Sequence, residues 1–234
     1  MTIQTRITQA RRLLASVEKD HTPAVFSSSF GAEDMVVLDL IARDGLAIDI
    51  VTLDTGRLPR ETHDLIEEVR RCYWLEIGVY APWPGAIDAY IEHFGIDGFY
   101  EGLEQRRACC TLRKLEPLRR ALAGKRGWVT GLRREQAETR AELAESVFDT
   151  GYGLWKFSPL ADWSSEEVWQ YLRQHHVPYN ALHDRGYPSI GCEPCTRAVK
   201  PGEHPRAGRW WWEQKGAHKE CGLHEIPIKV MEKV

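Results

Sequence analysis

The feature that most constrains the fold of this 234-residue chain is a regular alternation of short apolar runs with helical segments. Ala24 to Ser28 reads as a strand, followed by a Ser-Phe-Gly turn and an apolar helical stretch from Glu33 to about Ala42. Ile48 to Leu53 alternates apolar and polar residues as a second strand and ends in Asp54-Thr55-Gly56, with a helix expected from Pro59 to Cys72. Trp74 to Tyr80 reads as a third strand, Ala86 to Phe94 as a helix and Trp128 to Thr130 as a further buried strand. Another strand is expected around Tyr152 to Phe157, and Ser164-Ser165-Glu166-Glu167 caps a helix to about His175. An amphipathic helix precedes them all, with Ile7, Ala10, Leu13, Leu14 and Val17 on one face. Such alternation implies βαβ units: an α/β fold with a mostly parallel sheet flanked by helices, and ligands at the carboxyl ends of the strands. Residues 1–234 are expected to form a single α/β nucleotide-binding domain. Its irregular C-terminal segment, from about 196 to 234, is expected to be mobile.

Composition narrows the function classes. A 43% hydrophobic content can fill a core, and no run reaches the roughly 20 apolar residues that span a bilayer. Met1 to Asp20 is charged and amphipathic, without a signal-peptide apolar region, so the chain is expected to be cytoplasmic. The net charge of −3 argues against broad nucleic-acid binding. Glu104 to Arg140, however, carries eleven Lys or Arg against four Glu, a basic island suited to a local anion.

Several constellations sit where ligands are expected. Ser27-Ser28-Ser29-Phe30-Gly31-Ala32-Glu33-Asp34 joins a strand to a helix, where backbone N–H groups, hydroxyls and the helix dipole favour an oxyanion, although no Gly-Lys-Ser/Thr ending is present to hold a triphosphate. Leu53-Asp54-Thr55-Gly56 closes the neighbouring strand and could border a nucleoside; Asp and Gly also favour such turns for purely conformational reasons. Gly131 followed by Arg133 and Arg134, with Arg140 beyond, offers guanidinium groups for sulfate or phosphate; surface pairing with Glu135 and Glu138 is the competing reading.

The six cysteines are grouped unevenly. Cys109-Cys110 and Cys192-Glu193-Pro194-Cys195 together supply four thiolates, enough for a structural zinc or an iron-sulfur cubane. Adjacent cysteines diverge and seldom share one tetrahedral zinc, which favours the cluster, and Arg113 and Lys114 would offset its charge. Cys221, in Lys219-Glu220-Cys221-Gly222-Leu223-His224, is flanked by groups that can depress a thiol pKa. Cys72 falls with Leu65 and Val69 on the apolar face of its helix and is expected to be buried. Arg206, Arg209 and Trp210-Trp211-Trp212 suit an anchored, anion-facing segment; stacking on single-stranded RNA is the alternative that the acidic remainder disfavours.

The two cysteine pairs, the Lys-Glu-Cys-Gly-Leu-His tail and the strand-end motifs together resemble the assimilatory sulfonucleotide reductases, in particular the iron-sulfur adenylyl-sulfate (APS) reductases. The likeness runs from about residue 22 to 225. It implies an adenine nucleotide alpha-hydrolase-like fold related to ATP pyrophosphatases, with a modified phosphate loop at Ser27 to Asp34. It implies one 4Fe-4S cluster on Cys109, Cys110, Cys192 and Cys195 with Lys114 beside it. Arg140, Arg206 and Arg209 match positions contacting sulfate and phosphate, Leu53 and Gly131 match positions around the adenosine, and Cys221 matches the nucleophile. Reduction of APS to sulfite and AMP through an S-sulfocysteine follows, with thioredoxin or glutaredoxin as external reductant and a homo-oligomeric enzyme. A PAPS or dual APS/PAPS reductase is the nearest alternative. Ala137 stands where the family commonly has a serine, and Arg106 where some members have a histidine. Two other classes compete. An iron-sulfur nucleotide sensor would not need Cys221, and a tRNA-thiolating enzyme should carry a Ser-Gly-Gly-Lys-Asp-Ser-like loop instead of Ser-Ser-Ser-Phe-Gly-Ala-Glu-Asp.

Overall fold

Six strands pair into one sheet in a computed structural model that describes residues 2–213 and 222–223. In chain order the main elements are α1 (Ile3–Asp20), β1 (Ala24–Ser28), α2 (Ala32–Asp44), β2 (Ile48–Leu53), α3 (Arg60–Tyr73), β3 (Ile77–Tyr80) and α4 (Pro84–Phe94). They continue with α5 (Leu103–Cys110), a π-helical turn (Thr111–Leu115), α6 (Glu116–Leu122), β4 (Gly127–Val129), β5 (Ser146–Asp149), β6 (Leu154–Phe157) and α7 (Ser165–Gln174). The spatial order is β3-β2-β1-β4-β6-β5. Every pairing is parallel except β5 with β6, so the expected parallel sheet carries one antiparallel edge. The chain leaves β1 toward β2 and β3, then returns to β4 on β1's other side. The connections therefore part at the carboxyl ends of β1 and β4, opening the crevice where α/β sheets bind ligands.

The pleat divides the core. Ala24 and Phe26 of β1, with Ile48 and Ile50 of β2, pack into a large cluster with residues of α1, α2, α3 and α7. Val25 and Val51 face the opposite side and join Leu118, Ala121 and Leu122 of α6. Each fully buried aliphatic or aromatic side chain contributes roughly 1.5–3 kcal/mol, so this two-sided burial fixes the strand register. Among the described residues no helix is long and apolar enough to cross a membrane.

Most sequence boundaries lie within a few residues of the observed ones, and the Ser164 capping box forms as expected, its Oγ accepting from Glu167 N at 3.1 Å. Two expectations need correction. The third strand begins at Ile77 rather than Trp74, because Trp74 takes a left-handed conformation and is 91% exposed. Cys72 is exposed, not buried. The inward stripe of α3 runs through Thr62, Leu65, Ile66 and Val69, and half-buried Tyr73 takes the next inward place by donating its hydroxyl to Asp39 at 2.7 Å. Within the segment expected to be mobile, the described residues 196–213 include buried Trp210 and a bridge between Thr196 and Arg209.

Asp39 anchors the helical layer. Its fully buried carboxylate accepts from Tyr73 Oη and Tyr171 Oη, each at 2.7 Å, and from Arg43 Nε at 2.7 Å. Removing it would leave the buried Tyr171 hydroxyl and the half-buried Tyr73 hydroxyl without their acceptor and take the carboxylate from the partly exposed Arg43. Asp39→Ala should therefore cost about 3 kcal/mol of unfolding free energy in urea titrations. A loss below about 1 kcal/mol would show that the triad is not a structural anchor.

Candidate active site

A cavity of about 890 Å³ opens at the switch point. Its floor is built from the ends of three adjacent strands: Ser27 and Ser28 closing β1 with Ser29 beyond, Leu53 closing β2 with Thr55 beyond, and Thr130 to Arg133 after β4. Of the sequence candidates, Ser27, Ser28, Ser29, Gly31, Leu53, Thr55, Gly131, Arg133, Arg140, Arg206, Arg209 and Lys114 line it. Phe30, Asp54, Gly56 and Arg134 do not.

Local chemistry explains this division. Phe30 is driven into the main core and turns the chain with a left-handed φ of 58°, while Ser28 Oγ accepts from its N–H at 3.1 Å. Asp54 Oδ1 caps Gly56 N at 2.8 Å and so shapes the turn. Arg133 is buried, and its guanidinium is committed to Glu33 Oε1 (3.0 and 2.7 Å) and the Trp163 carbonyl (3.1 Å). Arg134 points away from the cavity to the Leu143 carbonyl and to Asp162. These two arginines brace the loop. Arg140, held by Gln136, together with Arg206 and Arg209 brings positive charge to the cavity wall.

The serine loop holds an anion of its own. Asp34 Oδ2 accepts from Ser29 N at 2.5 Å and Ser29 Oγ at 2.7 Å, at the start of α2. Burial pushes the Asp34 carboxyl up to about 6, against the hydrogen bonds from Ser29 and the Gly131 backbone that favour its charge. Gly131 is required here because a Cβ would fall 2.1 Å from Asp34 Oδ1.

Arg209 brings a buried cation to the cavity wall. It donates to the Ile190 carbonyl at 3.1 Å, lies 3.4 Å from Ser189 Oγ and stacks on Trp210, yet its Nε has no hydrogen-bond partner among the described residues. Gly191 makes room for it, since a Cβ there would meet Arg209 Nη2 at 2.3 Å.

Beside this cavity Cys109, Cys110, Cys192 and Cys195 line one small chamber with Arg57, Phe99, Arg106, Arg113 and Lys114. The first pair ends α5, and the second brackets a single 3-10 turn, Glu193–Cys195, whose Cys195 N–H bonds the Cys192 carbonyl at 2.9 Å. Arg113 donates to the Thr55 carbonyl at 2.6 Å, and Cys192 Sγ donates to Thr55 Oγ1 at 3.3 Å, so the β2 turn is a wall of the chamber. Burial raises the Cys109 thiol and pushes Cys195 up to about 12. Burial alone would also raise Cys192, but Lys114, the Thr55 hydroxyl, Arg209 and Arg113 outweigh it and bring that thiol below its usual range. Among the described residues, no three His, Cys, Asp or Glu side chains stand ready to hold a metal ion. Four thiols converging on one cation-rimmed chamber are nevertheless the donor set and charge environment that a thiolate-ligated cluster requires.

Lys114 lines both spaces. It reaches this position from the π-helical turn, a one-residue register change for which the sequence carries no local signal. Cys221 lies outside the described residues, while Leu223 lines the large cavity. Sequence reasoning missed the inward carboxylate of Asp34, the wall formed by His183 and by Pro188 to Gly191, and the burial of Arg106 against Glu213. The only sequence hint of that wall was the Gly-Pro-rich stretch leading into the second cysteine pair.

Residues 23–198 match the family model described as the phosphoadenosine phosphosulfate reductase domain. The chain belongs to the phosphoadenosine phosphosulfate reductase family. A relative from Allochromatium vinosum named adenosine 5'-phosphosulfate reductase is 57% identical over 223 residues, covering 95% of this chain and 87% of the relative. One of the same name from Burkholderia cepacia is 52% identical over 216 residues, covering 92% and 86%. Among solved structures, a phosphoadenylyl-sulfate (PAPS) reductase from Candida auris, in a phosphate complex, aligns with a TM-score of 0.69 at 26% identity, over 84% of this chain and 96% of that one. Yeast FAD synthetase shares the fold at 18% identity, with a TM-score of 0.56 over 84% of this chain and 67% of that one. The reductase-family sheet is thus of the adenine nucleotide alpha-hydrolase-like type expected from the motifs.

Asp34 gives the reductase fold a pH signature. Its carboxyl is raised from 3.8 unfolded to about 6 folded, so its contribution to stability is full below pH 4 and is lost as pH rises through 6. Between pH 4 and 7 this amounts to about 2 kcal/mol. Comparing urea unfolding at the two pH values, Asp34→Asn should remove that part of the wild-type pH dependence. An unchanged slope would contradict the assignment.

Proposed function

We propose that this chain is a cytoplasmic reductase of adenosine 5'-phosphosulfate, acting in sulfate assimilation and releasing sulfite and AMP. The observation that carries the reading is the shared wall: a strand-end cavity edged by Arg140, Arg206 and Arg209 meets the four-cysteine chamber at Lys114. The names of the relatives at 57% and 52% identity support the same substrate. PAPS, which adds a 3′-phosphate, is the alternative substrate.

In this reading Ser27, Ser28, Ser29, Gly31, Leu53, Thr55 and Gly131 border the nucleoside. Asp54, Gly56 and Phe30 shape the turns from behind, as Arg133 and Arg134 brace the adjoining loop. Arg140, Arg206 and Arg209 neutralise the phosphosulfate. The Cys221 thiolate attacks the sulfur, an S–S bond forms, and the S–O bond to AMP breaks with its electron pair leaving on the phosphate oxygen. Arginines beside that oxygen stabilise the departing charge. An external dithiol, thioredoxin or glutaredoxin, then attacks Sγ of Cys221 and sulfite leaves with the electron pair. The dithiol's second thiol closes its own disulfide and restores Cys221. Sulfur thereby gains the two electrons that the dithiol loses.

Cys109, Cys110, Cys192 and Cys195 would hold one 4Fe-4S cluster, which when bound supplies a local charge centre beside the sulfate rather than the electrons of the reaction. Lys114 stands between that charge and the substrate. A homo-oligomer is part of the same proposal.

Four experiments test the reading. Incubation with APS should place a sulfonate on Cys221 by mass spectrometry. Cys221→Ser should lower sulfite release by about a thousandfold or more while retaining iron. Sulfite formation by Cys221→Ser at the wild-type rate would refute the mechanism. Separately, Cys192→Ser should lose iron and acid-labile sulfide from the purified protein. Full retention of both would remove Cys192 from the ligand set. Faster sulfite release from PAPS than from APS would reassign the substrate.

A further inference from the structure

Arg106 is fully buried at the first cysteine pair, but its charge is directed toward the C-terminal segment. Nε donates to Glu213 Oε1 at 2.7 Å and Nη2 to Oε2 at 3.2 Å, with the two side chains only 1% and 8% exposed. It also hydrogen-bonds Cys110. Its guanidinium carbon lies 4.5 Å from the Trp210 ring, and that of Arg209 lies 4.7 Å from the same ring. Trp210 is in turn fixed by its backbone N–H to the Cys195 carbonyl at 3.1 Å. One indole thus carries two cations, of which Arg106 has a carboxylate partner. Among the described residues the hydrogen-bond partners of Arg209 are the neutral Ser189 hydroxyl and Ile190 carbonyl, with no carboxylate paired to it, and it lines the large cavity.

Like charges crowded on one buried ring repel unless one is neutralised. Resting on the proposed nucleotide reading, we infer that Arg106 and Glu213 are positioning residues that, through Trp210, hold the Arg209 guanidinium on the substrate's anionic group. The pair also fastens the stretch just before residue 214 to the cysteine chamber. It thereby sets the aim of an anion-binding arginine from the other side of the wall.

The test is calorimetric binding of APS to the full-length Cys221→Ser protein, where no sulfur transfer consumes the ligand. Glu213→Gln should weaken APS about tenfold or more, because it leaves two uncompensated guanidinium groups on Trp210. Arg106→Lys should do the same, since an ammonium cannot make the fork or the stack. In an Arg209→Gln background both effects should vanish, and Arg106→Gln combined with Glu213→Gln should bind better than Glu213→Gln alone. Thermal unfolding and iron content, measured alongside, identify any loss that follows from misfolding. Unchanged affinity in both single variants, or an undiminished effect when Arg209 is absent, would overturn the inference. Failure of the Cys221→Ser parent to bind APS would instead refute the underlying nucleotide reading.

Discussion

The parting of the chain on either side of β1 is the constraint on which the rest depends. Parallel pairing of β1 with β2 and β4 sends the following segments away in opposite directions and leaves their carboxyl ends uncovered. The same ends carry Ser27 to Ser29, Leu53 to Thr55 and Gly131, so backbone groups converge there with few bulky side chains in the way. Two-sided burial of β1 keeps this edge fixed: Phe26 and Val25 lock the strand from opposite faces, and a slip of one residue would exchange them.

A second consequence is the joining of two chemically different spaces. The turn after β2 belongs to both, because Thr55 borders the large cavity while its carbonyl and hydroxyl bind Arg113 and Cys192. Lys114 and Arg209 then bring positive charge to the boundary, where both help to lower the Cys192 thiol. In the proposed function this boundary lets anionic sulfate sit beside a thiolate centre that would otherwise repel it. Asp34 has a complementary effect, satisfying the donors of the serine loop internally and leaving the arginines as the main cationic groups for a ligand.

Much of this was legible in the sequence because periodicity and turn chemistry are local. The strand at Ile48–Leu53, the stripe of α1 and the Ser164 cap come from side chains interacting with near neighbours. The cysteine pairs were legible as a group because four thiols in two short motifs have few structural uses. What stayed hidden is long-range or register-dependent. Cys72 fitted a helical face, but Tyr73 won the inward place through a hydrogen bond to Asp39, far away in sequence. Arg133 and Arg134 read as anion ligands, and their pairing with Glu33 and Asp162, distant along the chain, left no local trace in the sequence. The shared position of Lys114 depends on a π turn, and the pairing of Arg106 with Glu213 spans over a hundred residues; neither leaves a local pattern.

The central claim is spatial: the nucleotide's sulfate occupies the arginine wall of the strand-end cavity, across Lys114 from an iron-sulfur cluster on the four cysteines. A crystal structure of anaerobically purified Cys221→Ser protein with APS, with iron located by anomalous scattering, tests it most directly. The account predicts adenosine beside Leu53 and Gly131, sulfate against Arg140, Arg206 and Arg209, and iron bound to Cys109, Cys110, Cys192 and Cys195. A nucleotide seated elsewhere, or iron absent from a chamber whose cysteines are intact, would contradict it.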